Sequence, residues 1–177
     1  MKKQSGHLAL AGVLSALALV LLLFTYIPTA TVALAALAAV CGIPVVVELG
    51  HKAGLVHYAT VAALAALLAL TAEGTGLYLA FFGWYTVLKA YVESRNFPRV
   101  AEWAVKLGAF TLAIAAYGAV WVLLLQMPLP TWFAWWMLAP FGVAAEAVFV
   151  VYDLALTGVV TTYHQRIRPK IRGLFRF

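Results

Sequence analysis

Residues 8–50 read LALAGVLSALALVLLLFTYIPTATVALAALAAVCGIPVVVELG, two apolar runs joined across Pro28-Thr29-Ala30 and holding a single charged side chain, Glu48. Each run supplies the roughly 20 apolar residues with which an α-helix crosses about 30 Å of hydrocarbon. A lipid-facing strand would alternate apolar with polar positions, whereas alanine and leucine here run on without that alternation. Outward from this stretch the pattern recurs, giving six runs at about 8–28, 30–50, 53–72, 75–93, 99–126 and 132–164, then a basic tail at 165–177. Of 177 residues 66% are hydrophobic and 10% charged, and the mean hydropathy is +0.99, a balance foreign to water-soluble domains. The expected fold class is an all-α membrane protein, a six-transmembrane-helix bundle with 1–177 as one integral membrane domain.

The cations predict its orientation. Lys2 and Lys3 precede the first run, Lys52 sits in the second junction, Lys89, Arg95 and Arg99 flank the end of the fourth, and Arg166, Arg168, Lys170, Arg172 and Arg176 crowd the tail. The intervening junctions, near Pro28, Glu73 and Pro128 to Pro130, carry neither lysine nor arginine. The positive-inside rule then places both termini in the cytoplasm. Lys2 and Lys3 before an apolar stretch imitate a secretory signal, but a run of this length followed by further spans reads as a retained first helix. The net charge of +6 is accounted for by topology, and the tail suits anionic lipid headgroups, with no nucleic-acid partner expected.

Catalytic signatures are missing. No HExxH, GxSxG, CxxC or phosphate-cradling glycine loop occurs, so the expectation is no enzyme and no cofactor, with any ATP dependence residing in a separate subunit. The lone Cys41 lies inside the second run, and His7, His51, His57 and His164 are scattered. Neither a disulfide nor a metal site is expected, and His57 is read as a helix-to-helix hydrogen-bonding group.

Lipid tails give helices no hydrophobic reason to associate, so small residues mark the faces that touch. The first run carries Ala11 and Ser15 on one row and Gly12 and Ala16 on the next; the second carries Ala33, Ala36 and Ala39 or Cys41; the third, Ala59, Ala62, Ala66 and Ala69. Such rows serve packing within the bundle or docking of a partner. Gly42-Ile43-Pro44 and Pro140-Phe141-Gly142 are each expected to interrupt a helix by removing a backbone donor. The breaks are either ordinary kinks or the edges of a binding cavity.

A charge in the bilayer needs a partner, because leaving it alone costs roughly 3 kcal/mol or more. Glu48 with Lys52, Lys89 with Glu93, and Glu102 with Lys106 are each four residues apart, hence on one helical face. Glu146 and Asp153 share a face of the sixth run, where no lysine or arginine occurs between Lys106 and Arg166. Lys106 is the expected intramembrane partner of Asp153. Glu146 is left as a candidate for a cationic or hydrogen-bonding ligand, or for carrying a proton. Tyr26, Tyr78, Tyr117, Trp121, Trp132, Trp135 and Trp136 gather toward the outer side, as an interfacial belt or as walls of a ligand cavity. The candidate ligand-binding residues are Glu146, Trp136, Trp132, Tyr117 and Trp121.

The six-helix plan with both ends inside, the small-residue first helix (Ala9-Leu10-Ala11-Gly12-Val13-Leu14-Ser15-Ala16) and the basic end resemble the substrate-binding S components of energy-coupling factor transporters. Phe81-Phe82-Gly83-Trp84-Tyr85-Thr86-Val87-Leu88-Lys89, with Arg99-Val100-Ala101-Glu102-Trp103 and Lys106-Leu107, resembles bacterial membrane proteins associated with that superfamily. The resemblance implies a multi-pass protein of the bacterial cytoplasmic membrane that captures a vitamin or similar micronutrient, driven by a separate transmembrane coupling subunit and ATPases. It also implies that Ala11, Gly12, Ser15 and Ala16 dock the coupling subunit. The chain differs from the family in having almost no loop between its first two helices. Two other classes are carried beside this one. One is a proton- or ion-coupled small-solute carrier relaying through Glu146, Asp153 and Lys106; the other is a non-transporting accessory or scaffold protein.

Overall fold

A computed structural model describes residues 2–69, 73–95, 97–124 and 134–170, and among them every regular element is helical. Helix α1 spans Lys2–Leu23; 3₁₀ turns at Phe24–Tyr26 and Pro28–Ala30 lead to α2, built from Thr31–Val40 and Gly42–Leu49. Helix α3 is His51–Ala69, and α4 runs over 73–94 as Glu73–Leu77, a π-helical turn at Tyr78–Phe82, and Gly83–Ser94. Helix α5 is Arg99–Ala119 with a π turn at Val120–Leu124, and α6 is Leu138–Thr162, continuing through a π turn at Tyr163–Ile167.

Five stretches are long and apolar enough to cross a membrane: Gly6–Tyr26, Thr31–Leu49, His51–Ala69, Arg99–Ala119 and Leu138–Lys170. Helix α4, the fourth of the expected runs, is not among them. Its composition is diluted by Lys89, Glu93 and several tyrosines, and its position explains why. Tyr78, Phe81, Gly83, Tyr85, Val87, Lys89 and Val92 are all buried, so α4 is enclosed by its neighbours and presents polar groups to them instead of an apolar face to lipid.

Close packing follows the small residues, though not always the expected ones. The inward row of α3 is Gly54, His57, Val61, Ala62, Ala65 and Ala69, while Ala59 is exposed. A Cβ on Gly54 would fall 2.4 Å from Val46 Cγ2, which fixes that face of α3 against α2 and turns Ala59 away. In α2 the buried alanines are Ala35, Ala38 and Ala39, and Ala33 is exposed. Gly50, with φ of 87°, donates its N–H to the Val46 carbonyl and lets α3 begin at the next residue, a left-handed conformation that glycine adopts without steric cost.

The two proline sites behave differently. α2 does break, at Cys41. α6 does not break at Pro140, which lies in the first turn of Leu138–Thr162, where its missing N–H would have had no helical acceptor. The expected interruption is therefore a helix start. Tyr78, expected in an outer belt, is instead packed into the core formed by Ala18, Leu22, Ala38, Val61 and Ala65.

Candidate functional site

The end of the bundle that carries Lys52, Arg95, Arg99 and the last turns of α6, the basic end, contains a buried charge cluster. Lys106, rooted in α5, lies 3.3 Å from Asp153 Oδ2, 2.6 Å from Glu102 and 2.9 Å from Glu93. The contact with Asp153 is one arm of a larger assembly. Lys89 on α4 reaches Asp153 Oδ1 at 2.7 Å, Glu93 at 2.7 Å and the Thr157 hydroxyl at 2.9 Å. Tyr85, one turn earlier, donates its hydroxyl to Asp153 Oδ1 at 2.6 Å. An ammonium has three donors, and each lysine here meets three acceptors.

Burial makes this costly to disturb. Asp153, Lys106 and Lys89 are 2%, 1% and 3% exposed, whereas Glu93 keeps 37% of its side chain accessible. Two lysines face three carboxylates, so the cluster as drawn carries one net negative charge, with its partly accessible members, Glu93 and Glu102, at the rim. The Lys106 ammonium also stands 5.5 Å from the Trp103 ring centroid, a cation–π distance. Buried ions persist when paired and fully hydrogen-bonded. The arrangement clamps α4, α5 and α6 together at one depth.

Tyr85 joins this cluster to an aromatic layer. Its ring stacks on Phe81 at 4.7 Å, Phe110 stacks on Phe149 at 4.7 Å, and Phe81 meets Phe149 edge to face at 5.7 Å. On the basic side of the layer a cavity of about 170 Å³ is lined by Thr86, Lys89, Glu93, His51 and His164 among others. Another face of the layer borders an apolar groove of about 350 Å³ between α2, α4, α5 and α6, backed by Phe81, Phe110, Phe149 and Tyr152, lined also by Ala145, and open at the exposed Val32, Phe141 and Val148.

Of the expected ligand residues, the three that are described occupy separate places. Glu146 is half-buried; its Oε1 accepts a hydrogen bond from Thr111 on α5, and its buried Oε2 has no hydrogen-bond partner. Trp136 is 70% exposed. Tyr117 packs over Gly76, where a Cβ would lie 2.9 Å from its ring. None of these three lines the cavity or the groove. Trp132 and the Trp121 side chain lie outside the described residues. Geometry, not residue type, separates this set: Glu146 is directed at α5, while Trp136 stands at the start of α6.

The proposed docking residues also divide. Ser15 turns inward, its hydroxyl 2.8 Å from His57 Nδ1 on α3, the helix-to-helix contact expected for that histidine. Ala11 is half-buried. Gly12 and Ala16 face outward, and a Cβ on Gly12 would meet nothing within 4 Å. Glu48 pairs with Arg168 at 2.8 Å instead of with Lys52, which is exposed. Among the described residues no group of histidine, cysteine and carboxylates suits a metal ion.

No protein-family model matches the chain, no curated protein matches it in sequence, and no solved structure matches it in fold.

Proposed function

We propose that this chain is a six-span, substrate-binding subunit of a bacterial membrane transporter, with both termini on the cytoplasmic face and α4 as the enclosed sixth span. Its solute is a small, mostly apolar or aromatic micronutrient held against the aromatic layer, and separate coupling and ATPase subunits, of the energy-coupling factor type, power its movement. The observation that carries this reading is the half-open apolar groove of about 350 Å³, a volume within the range of small-molecule sites, floored by rings that Tyr85 ties to the charge cluster. The open Gly12 and Ala16 row of α1 supports a transmembrane partner, since small residues let a second helix approach closely.

Purification in mild detergent tests both parts at once. ATPase subunits should accompany the tagged chain from its native membrane, and mass spectrometry should find a small molecule in the extract. Ala145→Trp, which fills the groove, should abolish retention of that molecule while the partners remain. Gly12→Leu should do the reverse. A chain that brings down other membrane proteins, no ATPase and no small molecule would be the accessory protein instead. One observation favours that second reading: the lysines of the cluster are already saturated by acceptors within the chain.

A further inference from the structure

We infer that the cleft between α2 and α6 at the basic end is a binding site for one anionic phospholipid. The cleft has a volume of about 440 Å³ and is lined by Val40, Ile43 and Pro44 of α2 and by Gly158, Val159 and Ile167 of α6 among others. Pro44, in the first turn of the second half of α2, lines it opposite a stretch of α6 where Gly158 has nothing within 4 Å of its Cβ position. An apolar slot on a lipid-facing wall suits an acyl chain, and what selects the headgroup is the charge at its end.

The cleft face of α6 passes through Val159, Thr162, Tyr163 and Ile167. Helical spacing of three and four residues carries the same face on to Arg166 and Lys170, both exposed and neither with an acidic partner among the described residues. Arg168 is differently employed: it ties the end of α6 to Glu48 of α2 at 2.8 Å, leaving Arg166 and Lys170 to meet a phosphate. Thr162 is the lining residue four positions before Arg166, where apolar lining gives way to cations along the sequence. Cations next to a span attract anionic headgroups, and the combination of slot and charge selects a phospholipid over a partner helix, which would leave Arg166 and Lys170 unmatched.

The inference uses the orientation proposed above and is independent of whether the chain carries a solute. Its test is native mass spectrometry of the full chain after exchange into detergent with phosphatidylglycerol or phosphatidylcholine. One phosphatidylglycerol should be retained with a preference on the order of tenfold, as two juxtamembrane cations allow. Arg166→Gln with Lys170→Gln should erase the preference, and Gly158→Leu should erase retention of either lipid. Equal retention of both lipids by the unaltered chain overturns the site, as does a preference that survives the double substitution. Competition by inorganic phosphate as effective as by phosphatidylglycerol would overturn the role of the cleft. A shift to dimer mass abolished by Gly158→Leu would overturn it too, by showing a second copy in the cleft. Ligand retention and ATPase partners, tested separately, do not enter these outcomes.

Discussion

Asp153 and Glu146 stand seven residues apart on one face of α6, and their surroundings share almost nothing. Asp153 is met by two ammonium groups and a phenol from α4 and α5, whereas Glu146 has one threonine hydroxyl and an oxygen without a hydrogen bond. Helical phase is common to both; depth decides the difference. At the level of Asp153, α4 and α5 approach the basic end and carry lysines long enough to reach inward. Two turns away, α5 offers Thr111 and alanine. The comparison teaches that a carboxylate's place on a face says which helix it confronts, but not whether that helix has a cation at the right height.

Removing Asp153 should therefore produce the largest effect. Asp153→Ala leaves two buried lysines each short of one acceptor, and breaking such a network from one side costs about 3–5 kcal/mol. Unfolding in a denaturing detergent titration should show that loss, together with weakened association of α4 and α6. Joint replacement of Lys89, Lys106 and Asp153 by apolar residues of similar size should be milder than Asp153→Ala, since it removes every fully buried charge and leaves only the rim carboxylates Glu93 and Glu102, which are 37% and 25% accessible. Equal losses would mean that the cluster is not the clamp described.

Tyr85→Phe comes next. It keeps the ring in the aromatic layer and deletes one hydrogen bond to a carboxylate, for which about 2 kcal/mol is expected. The informative comparison is with Phe81→Leu, which disturbs the layer and leaves the cluster whole. If Tyr85 couples the two, the double variant should lose measurably less than the sum of the single losses, by a coupling of about 0.5 kcal/mol or more.

The helical membrane architecture was legible in residues 8–50 because lipid imposes a length and a hydropathy that composition alone can reveal. Lys106 against Asp153 was legible too, since few cations were within reach. Lys89 and Tyr85 were not placed in that site. Lys89 already had Glu93 four residues on, a sufficient local explanation, and Tyr85 looks like any tyrosine of a membrane helix. Their convergence depends on the rotation of α4, set by Gly83, where a Cβ would lie 2.5 Å from the Tyr58 ring and 2.7 Å from the Tyr78 ring. No local pattern encodes that rotation. Among the described outer aromatics, Tyr117 is turned elsewhere for the same kind of reason, absorbed by the notch at Gly76. Pro140 misled because a proline that would break a helix interior is at home in a first turn.

Glu146→Gln is expected to change stability by less than about 1 kcal/mol, because the amide keeps an acceptor for Thr111 and sheds a charge that has no cationic neighbour. Thr111→Val should cost more than Glu146→Gln, leaving the carboxylate without its hydroxyl. The same unfolding titration ranks the two. A loss from Glu146→Gln as large as that from Asp153→Ala would mean that Glu146 holds a second charged partner and that the contrast along α6 is illusory.

The smallest effect on the isolated chain is expected at Gly12 of α1, a helix where two neighbouring rows repeat the lesson of α6. Ser15 is tied to His57, so Ser15→Val strands a buried imidazole whose Nε2 already has no hydrogen-bond partner. A loss of about 1–2 kcal/mol should follow. Gly12 faces open space, so Gly12→Leu should leave the isolated chain within about 0.5 kcal/mol of its original stability. Its consequence, if α1 is the docking helix, falls entirely on the complex: a leucine stands where a partner's backbone must approach, and the recovery of coupling subunits should drop while the melting profile stays put. An unchanged recovery would leave the Gly12 row as plain lipid-facing surface and move the search for a partner to another helix.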